Sequence, residues 1–155
     1  MKNIAIFPGS FDPFTLGHYD VVMKAMPVFD KIIIAIGENS TKNALFTLEQ
    51  RQKALLHLFK KQKKIEVITF SGLTVKLCKK HKAKFILRGL RNGTDFDYEK
   101  AIAVMNRKME NTVETVFMLA NEEHECISST IVREIYRNKG DITSFVPKNY
   151  LLNKN

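Results

Sequence analysis

The stretch IFPGSFDPFTLGH, residues 6–18, joins a short apolar run to a helical pattern through two prolines and two glycines. Pro8-Gly9 and Asp12-Pro13 are turn spellings, so the strand is expected to stop before Pro8. Gly17-His18 then opens a segment with Val21 and Ala25 on one side, which is the spacing of a helix. Strand, turn and helix in this order predict an α/β fold, with the turn at the carboxyl end of the strand.

The remaining sequence repeats this alternation. Short runs rich in Val, Ile or Phe predict five strands, at residues 3–6, 31–36, 65–70, 85–88 and 114–119. Helical patterns follow each strand, at 17–26, from the capping box at 47–50 through Phe59, and at 73–81, 95–109 and 129–138, with Gly140 as the last stop. Pro27 ends or kinks the first helix.

Five strands alternating with helices imply a single Rossmann-like domain, a five-stranded parallel sheet with helices on both faces. The 155 residues form one domain, 1–155, with a short C-terminal helical tail from about residue 147. Ligands of such sheets bind at the carboxyl ends of the strands. The strand-to-helix loops are therefore the place to look for a site.

The chain is basic, with 25 Lys and Arg against 16 Asp and Glu and a formal net charge of +9. Its lysine runs, at 60–64 and 79–84, fall in helix-to-strand connections, on the rim away from the expected site. Solvated helix ends explain them, and cations are favoured there by the helix dipole. A nucleic-acid-binding module stays open as a different class of protein, supported by net charge alone.

The sequence predicts a soluble, cytoplasmic protein with no membrane partner, because no window approaches the roughly 20 apolar residues of a membrane span and no basic, apolar leader is present. The two cysteines, Cys78 and Cys126, form no CxxC pair and lie in no Cys/His cluster. Neither a disulfide framework nor a protein-bound metal is expected.

The first strand-to-helix loop has the chemistry of a phosphate site. Gly9 permits close approach of a ligand, Ser10 supplies a hydroxyl, and Gly17-His18 begins a helix whose amides and dipole favour an anion. His18, in this first turn, could reach a phosphate oxygen. Neither GxxxxGK[ST] nor GxGxxG occurs in this loop, which disfavours ordinary P-loop and dinucleotide sites.

Two other loops add groups suited to phosphates. Arg88 and Arg91 flank a glycine in a chain that otherwise prefers lysine, and a guanidinium binds phosphate through two parallel bonds. Residues 128–130, Ser-Ser-Thr, place three hydroxyls at one helix start, where one suffices as a cap. The acidic residues Asp95, Asp97 and Glu99 are interpreted as solvent-facing residues that the helix dipole favours at a helix start, rather than as metal ligands.

These motifs together resemble those of the bacterial phosphopantetheine adenylyltransferases, a family of the nucleotidylyltransferase superfamily. The resemblance rests on TLGH at 15–18 after PGSFDP, Lys42, LRGLR at 87–91, DFDYE at 95–99, MNR at 105–107 and ISST at 127–130. It covers residues 4–147, nearly the whole chain. It implies one nucleotidylyltransferase domain that transfers the adenylyl group of ATP to 4′-phosphopantetheine, giving dephospho-coenzyme A and pyrophosphate by direct in-line attack.

The resemblance also assigns roles. His18 would stabilise the transition state at the α-phosphoryl group, and Ser10 and Lys42 would hold the attacking phosphate. Phosphopantetheine would contact Ser10, Lys42, Thr74 and Arg88. The ATP site would comprise Ser10, Phe11, His18, Gly89, Leu90, Arg91, Glu99, His124, Glu125, Cys126, Ile127, Ser128, Ser129 and Thr130. Ser10, Thr74 and Thr130 depart from the residues common at these positions.

As partners and cofactors, the resemblance implies Mg²⁺ bound mainly through the ATP phosphates, a homohexamer, and feedback inhibition by coenzyme A. A specific nucleic-acid partner is not expected. The alternative within the same superfamily is an enzyme that makes NAD or a CDP-alcohol, which would share TxGH and the serine-rich helix start. Lys42, LRGLR and DFDYE favour phosphopantetheine as the acceptor.

Overall fold

The computed structural model describes residues 2–38 and 44–150. Five strands and five α-helices alternate along the chain in these residues. Their bounds are β1 Ile4–Gly9, α1 Leu16–Ala25, β2 Lys31–Gly37, α2 Leu48–Leu58, β3 Ile65–Phe70, α3 Thr74–Lys80, β4 Phe85–Leu90, α4 Gly93–Met109, β5 Glu114–Leu119 and α5 Ser129–Arg137. A 3₁₀ turn, Glu122–His124, precedes α5.

The strands form one parallel sheet in the order β3-β2-β1-β4-β5. The chain builds outward from β1 to β3 and then crosses to the other side of β1 to begin β4. The strand order therefore reverses between β1 and β4, which is where a doubly wound sheet forms its crevice. These two strands pair only at Ala5 with Phe85 and Ile6 with Ile86, so they part toward their carboxyl ends.

Alternate residues of the strands supply two cores, one on each face of the sheet. Ile32, Ile34 and Ile36 of β2 belong to the core that includes residues of α1 and α2, while Ile33 and Ala35 belong to the core that includes residues of α3. This two-residue alternation is the geometry of a strand buried on both faces. The predicted parallel sheet with helices on both faces is confirmed.

The prediction that the first strand stops before Pro8 is wrong. β1 continues through Pro8, which takes the register position opposite Ala35 of β2. A proline is excluded from central strands when its missing N–H breaks a ladder, but β1 has already parted from β4 at this point. β2 and β4 also run further than predicted, to Gly37 and Leu90.

The last helix ends differently from its prediction. The left-handed residue is Lys139, with φ of 62°, and Gly140 follows it and donates its N–H to the carbonyl of Ile135. This is a Schellman ending in which glycine takes the second position after the cap. A Cβ on Gly140 would lie 2.5 Å from Cγ2 of Ile135, so close packing rather than backbone conformation requires the glycine.

The lysine runs lie at helix-to-strand connections, as the sequence predicts, and their lysines are exposed. Lys64 is nevertheless a structural residue, because its Nζ donates to the carbonyls of Met26 and Phe29 after α1. Lys79 pairs with the carboxylate of Glu110. The interpretation of both runs as solvated surface alone is too simple.

The described C-terminal residues return to the first loop. The carbonyl of Phe145 accepts the N–H of Leu16, and the phenol oxygen of Tyr150 accepts the N–H of Phe14. Residues 147–150 form a turn closed by the Tyr150 N–H and the Pro147 carbonyl, and the rest of the predicted helical tail lies outside the described residues. Among the described helices, none combines the length and apolar character needed to cross a membrane.

The contact between β4 and α1 gives a test of the packing beside the crevice. A Cβ on Gly89 would lie 2.8 Å from Cγ2 of Val21, a buried and stiff side chain. We expect Gly89→Ala to lower the free energy of unfolding by about 1–3 kcal/mol through overpacking. In urea denaturation the double variant Gly89→Ala/Val21→Ala should lose less than the sum of the two single variants. A Gly89→Ala protein as stable as the parent would contradict this packing.

Candidate active site

A cleft of about 310 Å³ opens at the carboxyl ends of β1 and β4. We call it the larger cleft. It brings together the first loop, the end of β4, the start of α4 and the N-terminus of α5. Of the residues predicted for the site, it is lined by Ser10, Phe11, His18, Arg88, Gly89, Leu90, Arg91, Glu99, Ile127, Ser128, Ser129 and Thr130.

A second cleft of about 240 Å³ adjoins the first, and three predicted residues line it: Thr74, Arg88 and Glu99. We call it the smaller cleft. It shares Pro8, Gly9, Arg88 and Glu99 with the larger cleft, and much of its remaining wall is apolar, from Phe70, Ile86, Ile102 and Ala103. The Arg88–Glu99 pair thus stands where the two clefts meet.

Four predicted residues are not placed in either cleft. His124, Glu125 and Cys126 lie in the connection just before α5 and do not line the larger cleft. Lys42 lies outside the described residues. The structure therefore assembles most of the predicted nucleotide site, and it gives no position for the predicted phosphate lysine.

The orientation of His18 is fixed by the helix cap. Thr15 is the N-cap of α1, and its backbone N–H donates to Nδ1 of His18 at 3.0 Å. This is the second half of a capping box, with histidine in place of the usual Glu or Gln. Because Nδ1 accepts this hydrogen bond, the proton of the neutral ring is on Nε2. The imidazole can therefore offer an Nε2–H donor to a ligand in the larger cleft.

The ring of His18 is enclosed by aromatic side chains, although the residue stands in the first turn of α1. Its ring packs among Phe7, Phe11 and Phe14, with ring centroids 6.3, 5.2 and 5.3 Å away. Burial lowers the pKa of His18 to about 4, with Arg88 and then Arg91 contributing by their positive charges. The imidazole is therefore neutral across the physiological pH range.

Arg88 is held by three hydrogen bonds at the meeting point of the clefts. Its Nε donates to Glu99 at 2.8 Å, its Nη2 to the other oxygen of the same carboxylate, and its Nη1 to the carbonyl of Pro8 at 2.7 Å. Glu99 is buried, whereas 27% of the Arg88 side chain is exposed toward the clefts that it lines. A planar guanidinium fixed in this way presents a defined edge to each cleft.

Arg91 is fixed by an acidic residue that the sequence analysis did not assign to the site. Asp95 accepts from Nε, Nη2 and the backbone N–H of Arg91, each at 3.0 Å. Burial tends to raise the pKa of Asp95, but the hydrogen bonds and charge of Arg91 hold it below its usual value. The spacing of four residues was the signal available in the sequence, since such a pair is a common contact across a helix start.

The three hydroxyls at the start of α5 are all engaged. Ser128 caps the helix by accepting the N–H of Ile131, and Thr130 accepts from Nη2 of Arg133. Because the hydroxyl groups of Ser128 and Thr130 act here as acceptors, each can still donate its O–H to a ligand. Ser129 instead donates to the carbonyl of Pro13 at 2.9 Å. The surplus of donors inferred from the sequence is therefore reduced to Ser128 and Thr130.

Two buried charged side chains, those of Asp12 and Arg51, hold the first loop in place, and neither was predicted as a site residue. The Asp12 carboxylate accepts the N–H groups of Leu45 and Phe46 at 2.7 and 2.8 Å. Arg51 of α2 donates to the carbonyls of Phe46 and Ser10. Asp12 lies within PGSFDP but was predicted only as part of a turn, and Arg51 lies in none of the motifs above. The backbone groups that they bind are brought close only by the fold.

Gly9 lines both clefts, and its lack of a side chain also serves the packing of the first loop. A Cβ at this position would lie 2.8 Å from the ring of Phe11, whose own backbone is left-handed with φ of 48°. Glycine therefore makes room for the Phe11 ring beneath the loop, and the ring in turn contacts His18. The packing of Phe11 alone therefore requires a glycine here, and the predicted close approach of a ligand stays a prediction.

Comparison with known proteins shows the family to which this sequence is related. Residues 6–135 match the family model described as cytidylyltransferase-like. A protein of Flavobacterium johnsoniae named phosphopantetheine adenylyltransferase is 52% identical over 92% of this chain and 93% of its own length. One of the same name from Flavobacterium psychrophilum is 51% identical over 93% of this chain and 95% of its own length.

A solved structure shares the fold at low sequence identity. It is a bifunctional NMN adenylyltransferase/ADP ribose pyrophosphatase from Francisella tularensis, with a TM-score of 0.68 and 17% identity. The match covers 100% of this chain and 46% of that protein. At this identity the likeness supports the Rossmann-like fold and nothing finer.

The state of His18 can be measured directly. Because the folded-state pKa is about 4 against an ordinary 6.5, we expect the ligand-free protein to keep His18 neutral, with the proton on Nε2, from pH 8 down to pH 5.5. The unfolded chain takes up this proton at higher pH than the native one, so His18 lowers stability as the pH falls from 6.5 toward 4. Nitrogen-15 NMR of the ring reports both tautomer and charge. A titration midpoint near 6.5 in the folded protein would contradict the assignment.

Proposed function

The chain belongs to the phosphopantetheine adenylyltransferases, which transfer the adenylyl group of ATP to 4′-phosphopantetheine in coenzyme A biosynthesis, and we propose how its residues perform that transfer. An oxygen of the acceptor phosphate attacks the α-phosphorus of ATP in line with the bond to the β-phosphate. The new P–O bond forms as the bond to the bridging oxygen breaks. Dephospho-coenzyme A and pyrophosphate result, without a covalent enzyme intermediate.

His18 is the proposed transition-state stabiliser. Its Nε2–H donates to an oxygen of the α-phosphoryl group as charge builds there, while the Thr15 N–H fixes the ring from the other side. A neutral donor in a site with little water acts without first losing a proton or a hydration shell. The single observation that carries this role is the capping bond that determines the tautomer.

The larger cleft is the proposed ATP site. Arg91, Ser128 and Thr130 lie where the phosphates would meet the start of α5, whose dipole favours an anion. Phe11, Gly89, Leu90, Glu99, Ile127 and Ser129 complete its wall, and His124, Glu125 and Cys126 contribute through the connection that leads to α5. A cleft that combines apolar walls with a few convergent polar groups is typical of nucleotide sites.

The smaller cleft is the proposed site of the pantetheine arm. Its apolar wall suits an uncharged chain, and Thr74 adds a hydroxyl. Arg88, which borders both clefts, and Ser10 would hold the acceptor phosphate beside His18, together with Lys42. In this proposal the acceptor phosphate meets the α-phosphoryl group beside Arg88, with the attacking oxygen opposite the leaving oxygen across the α-phosphorus.

Mg²⁺ is proposed to bind mainly through the ATP phosphates rather than through ligands on the protein. The two carboxylates that line the larger cleft in the described residues, Asp95 and Glu99, are engaged by Arg91 and Arg88. In the same part of the chain, no group of three acidic, His or Cys side chains has the spacing of a metal site. When bound, the ion would neutralise phosphate charge.

The proposed assembly is a homohexamer, and an exposed apolar surface supports association. Helix α4 buries only Glu99 among its described residues and leaves Val104, Met105 and Met109 about half exposed, with Leu119 of β5 exposed as well. Apolar side chains that recur on one element in this way are typical of a surface that another subunit covers. Feedback inhibition by coenzyme A is proposed because it carries both the pantetheine and the adenylyl parts of the product.

The cytoplasm is the proposed compartment. Both cysteines are free thiols, with Cys126 exposed, and a reducing compartment preserves such thiols. The substrates are small phosphate esters, and a specific nucleic-acid partner forms no part of the proposal.

A substrate panel tests the reaction. With Mg²⁺ and ATP, we expect the purified protein to convert 4′-phosphopantetheine to dephospho-coenzyme A and pyrophosphate, because the smaller cleft adjoins the larger cleft that His18 lines. Pantetheine without its phosphate serves as the matched control and should not react. Faster adenylylation of nicotinamide mononucleotide, or faster cytidylylation of glycerol 3-phosphate, would contradict the acceptor. Chromatography of the products distinguishes these outcomes.

Substitutions at His18 separate its catalytic and structural parts. We expect His18→Ala to lower kcat by roughly 10²–10⁴, with substrate dissociation constants changed by less than about tenfold, because the bond to the α-phosphoryl group strengthens in the transition state. It should also cost about 1 kcal/mol or more of stability through the lost cap.

The matched variant is His18→Gln, which keeps an acceptor for the Thr15 N–H and can present one N–H donor. It should restore the stability fully and the turnover in part. Near-normal kcat in His18→Ala would overturn the assigned role, and equal stability of the two variants would contradict the cap. Steady-state kinetics, calorimetric binding and thermal denaturation give the three readouts.

A further inference from the structure

One face of α1 is occupied by the connection between β5 and α5. Gly17, Asp20 and Lys24 lie three and four residues apart, on the same side of the helix. Each meets a different part of residues 119–127, which we call the 119–127 connection. His18, on the same helix, points instead to the larger cleft.

Asp20 makes the central contact. Its side chain is buried, with 7% of the residue exposed, and one carboxylate oxygen accepts both the N–H of Asn121 at 3.1 Å and Nδ1 of His124 at 2.7 Å. An ionised carboxylate can only accept, so Nδ1 of His124 carries a proton. A buried charge is stable only where donors satisfy it, and the 119–127 connection supplies both.

The neighbours of Asp20 extend the same contact. Nζ of Lys24 donates to the carbonyl of Leu119 at 2.8 Å, which holds the start of the connection. At Gly17 a Cβ would lie 3.9 Å from the carbonyl oxygens of His124 and Ile127, so the backbone of α1 lies close to the end of the connection. Together these contacts join α1 to the chain from the end of β5 to the first residue of ISST.

We propose that Asp20 is a positioning residue for ATP binding. It holds the 119–127 connection against the helix that carries His18, and so fixes the start of α5 relative to the imidazole. Asp20 lines neither cleft and acts through His124 and Asn121. The proposal rests on the proposed assignment of residues 124–130 to the ATP site.

The test compares Asp20→Ala with Asp30→Ala. Asp30 is the matched control, because its carboxylate also accepts one backbone N–H, that of Asn3, on the opposite rim of the sheet. For Asp20→Ala we expect the KM and dissociation constant of ATP to rise by about tenfold or more, and those of 4′-phosphopantetheine to change by less than about twofold. Asp30→Ala should leave both substrates unaffected.

Hydrogen exchange supplies a readout that needs no substrate. Peptides that span the 119–127 connection should exchange faster in Asp20→Ala than in the parent. In Asp30→Ala their exchange rates should equal those of the parent. Asp20→Asn keeps an acceptor oxygen of the same size and should lie between the parent and Asp20→Ala in both exchange and ATP affinity. It also serves as the test variant if Asp20→Ala does not fold, which its denaturation midpoint reveals.

Three outcomes would overturn the proposal: unchanged exchange in the 119–127 connection, faster exchange with unchanged ATP affinity, or an equal loss of affinity for both substrates. The last would indicate a general loss of stability. Failure of the parent protein to adenylylate 4′-phosphopantetheine would instead count against the proposed function. The exchange measurement and calorimetric titration of ATP would still decide the role of Asp20.

Discussion

Beyond the pair formed by Ile6 and Ile86, strands β1 and β4 no longer share a hydrogen-bonded ladder. Arg88 spans the opening by donating to the carbonyl of Pro8 while Glu99 holds its other nitrogens. The two clefts lie on either side of this bridge, and both depend on it for a common wall. A ladder continued to the strand ends would close the space in which the reacting groups meet. The parting of two central strands thus sets the position of every other group in the site.

The electrostatics of the site follow from how its charges are paired. The guanidinium groups of Arg88 and Arg91 each carry a carboxylate partner, which fixes their planes before any phosphate arrives. Their positive charges still act on His18, and with burial they keep its ring neutral. A site of this kind offers directed N–H donors in place of mobile charges, which suits the proposed transfer because such donors need little reorganisation during the reaction.

The helix that carries His18 and the loop before it are held by contacts from three parts of the chain. Asp12 and Arg51 tie the loop to the residues before α2, and Tyr150 and Phe145 bind its amides from the C-terminal side. The 119–127 connection occupies the remaining face of α1. Asp12, Asp20 and Arg51 are buried polar groups in these contacts, so loss of such a side chain leaves its partners unpaired and not merely a missing contact.

The sequence alone determined the alternation of strands and helices and the phosphate chemistry of the loops, because hydrophobic period, caps and motifs such as TLGH are local. It could not reveal that β1 continues through Pro8. A proline is tolerated in this central strand only because β4 has already separated from β1 at that point. Asp12, Arg51, Asp20 and Asp95 were likewise absent from the predicted site. Three of these side chains take partners distant in the sequence, and only tertiary structure brings such groups together. It also decided the state of His18, because burial and two distant arginines, rather than the residue type, lower its pKa.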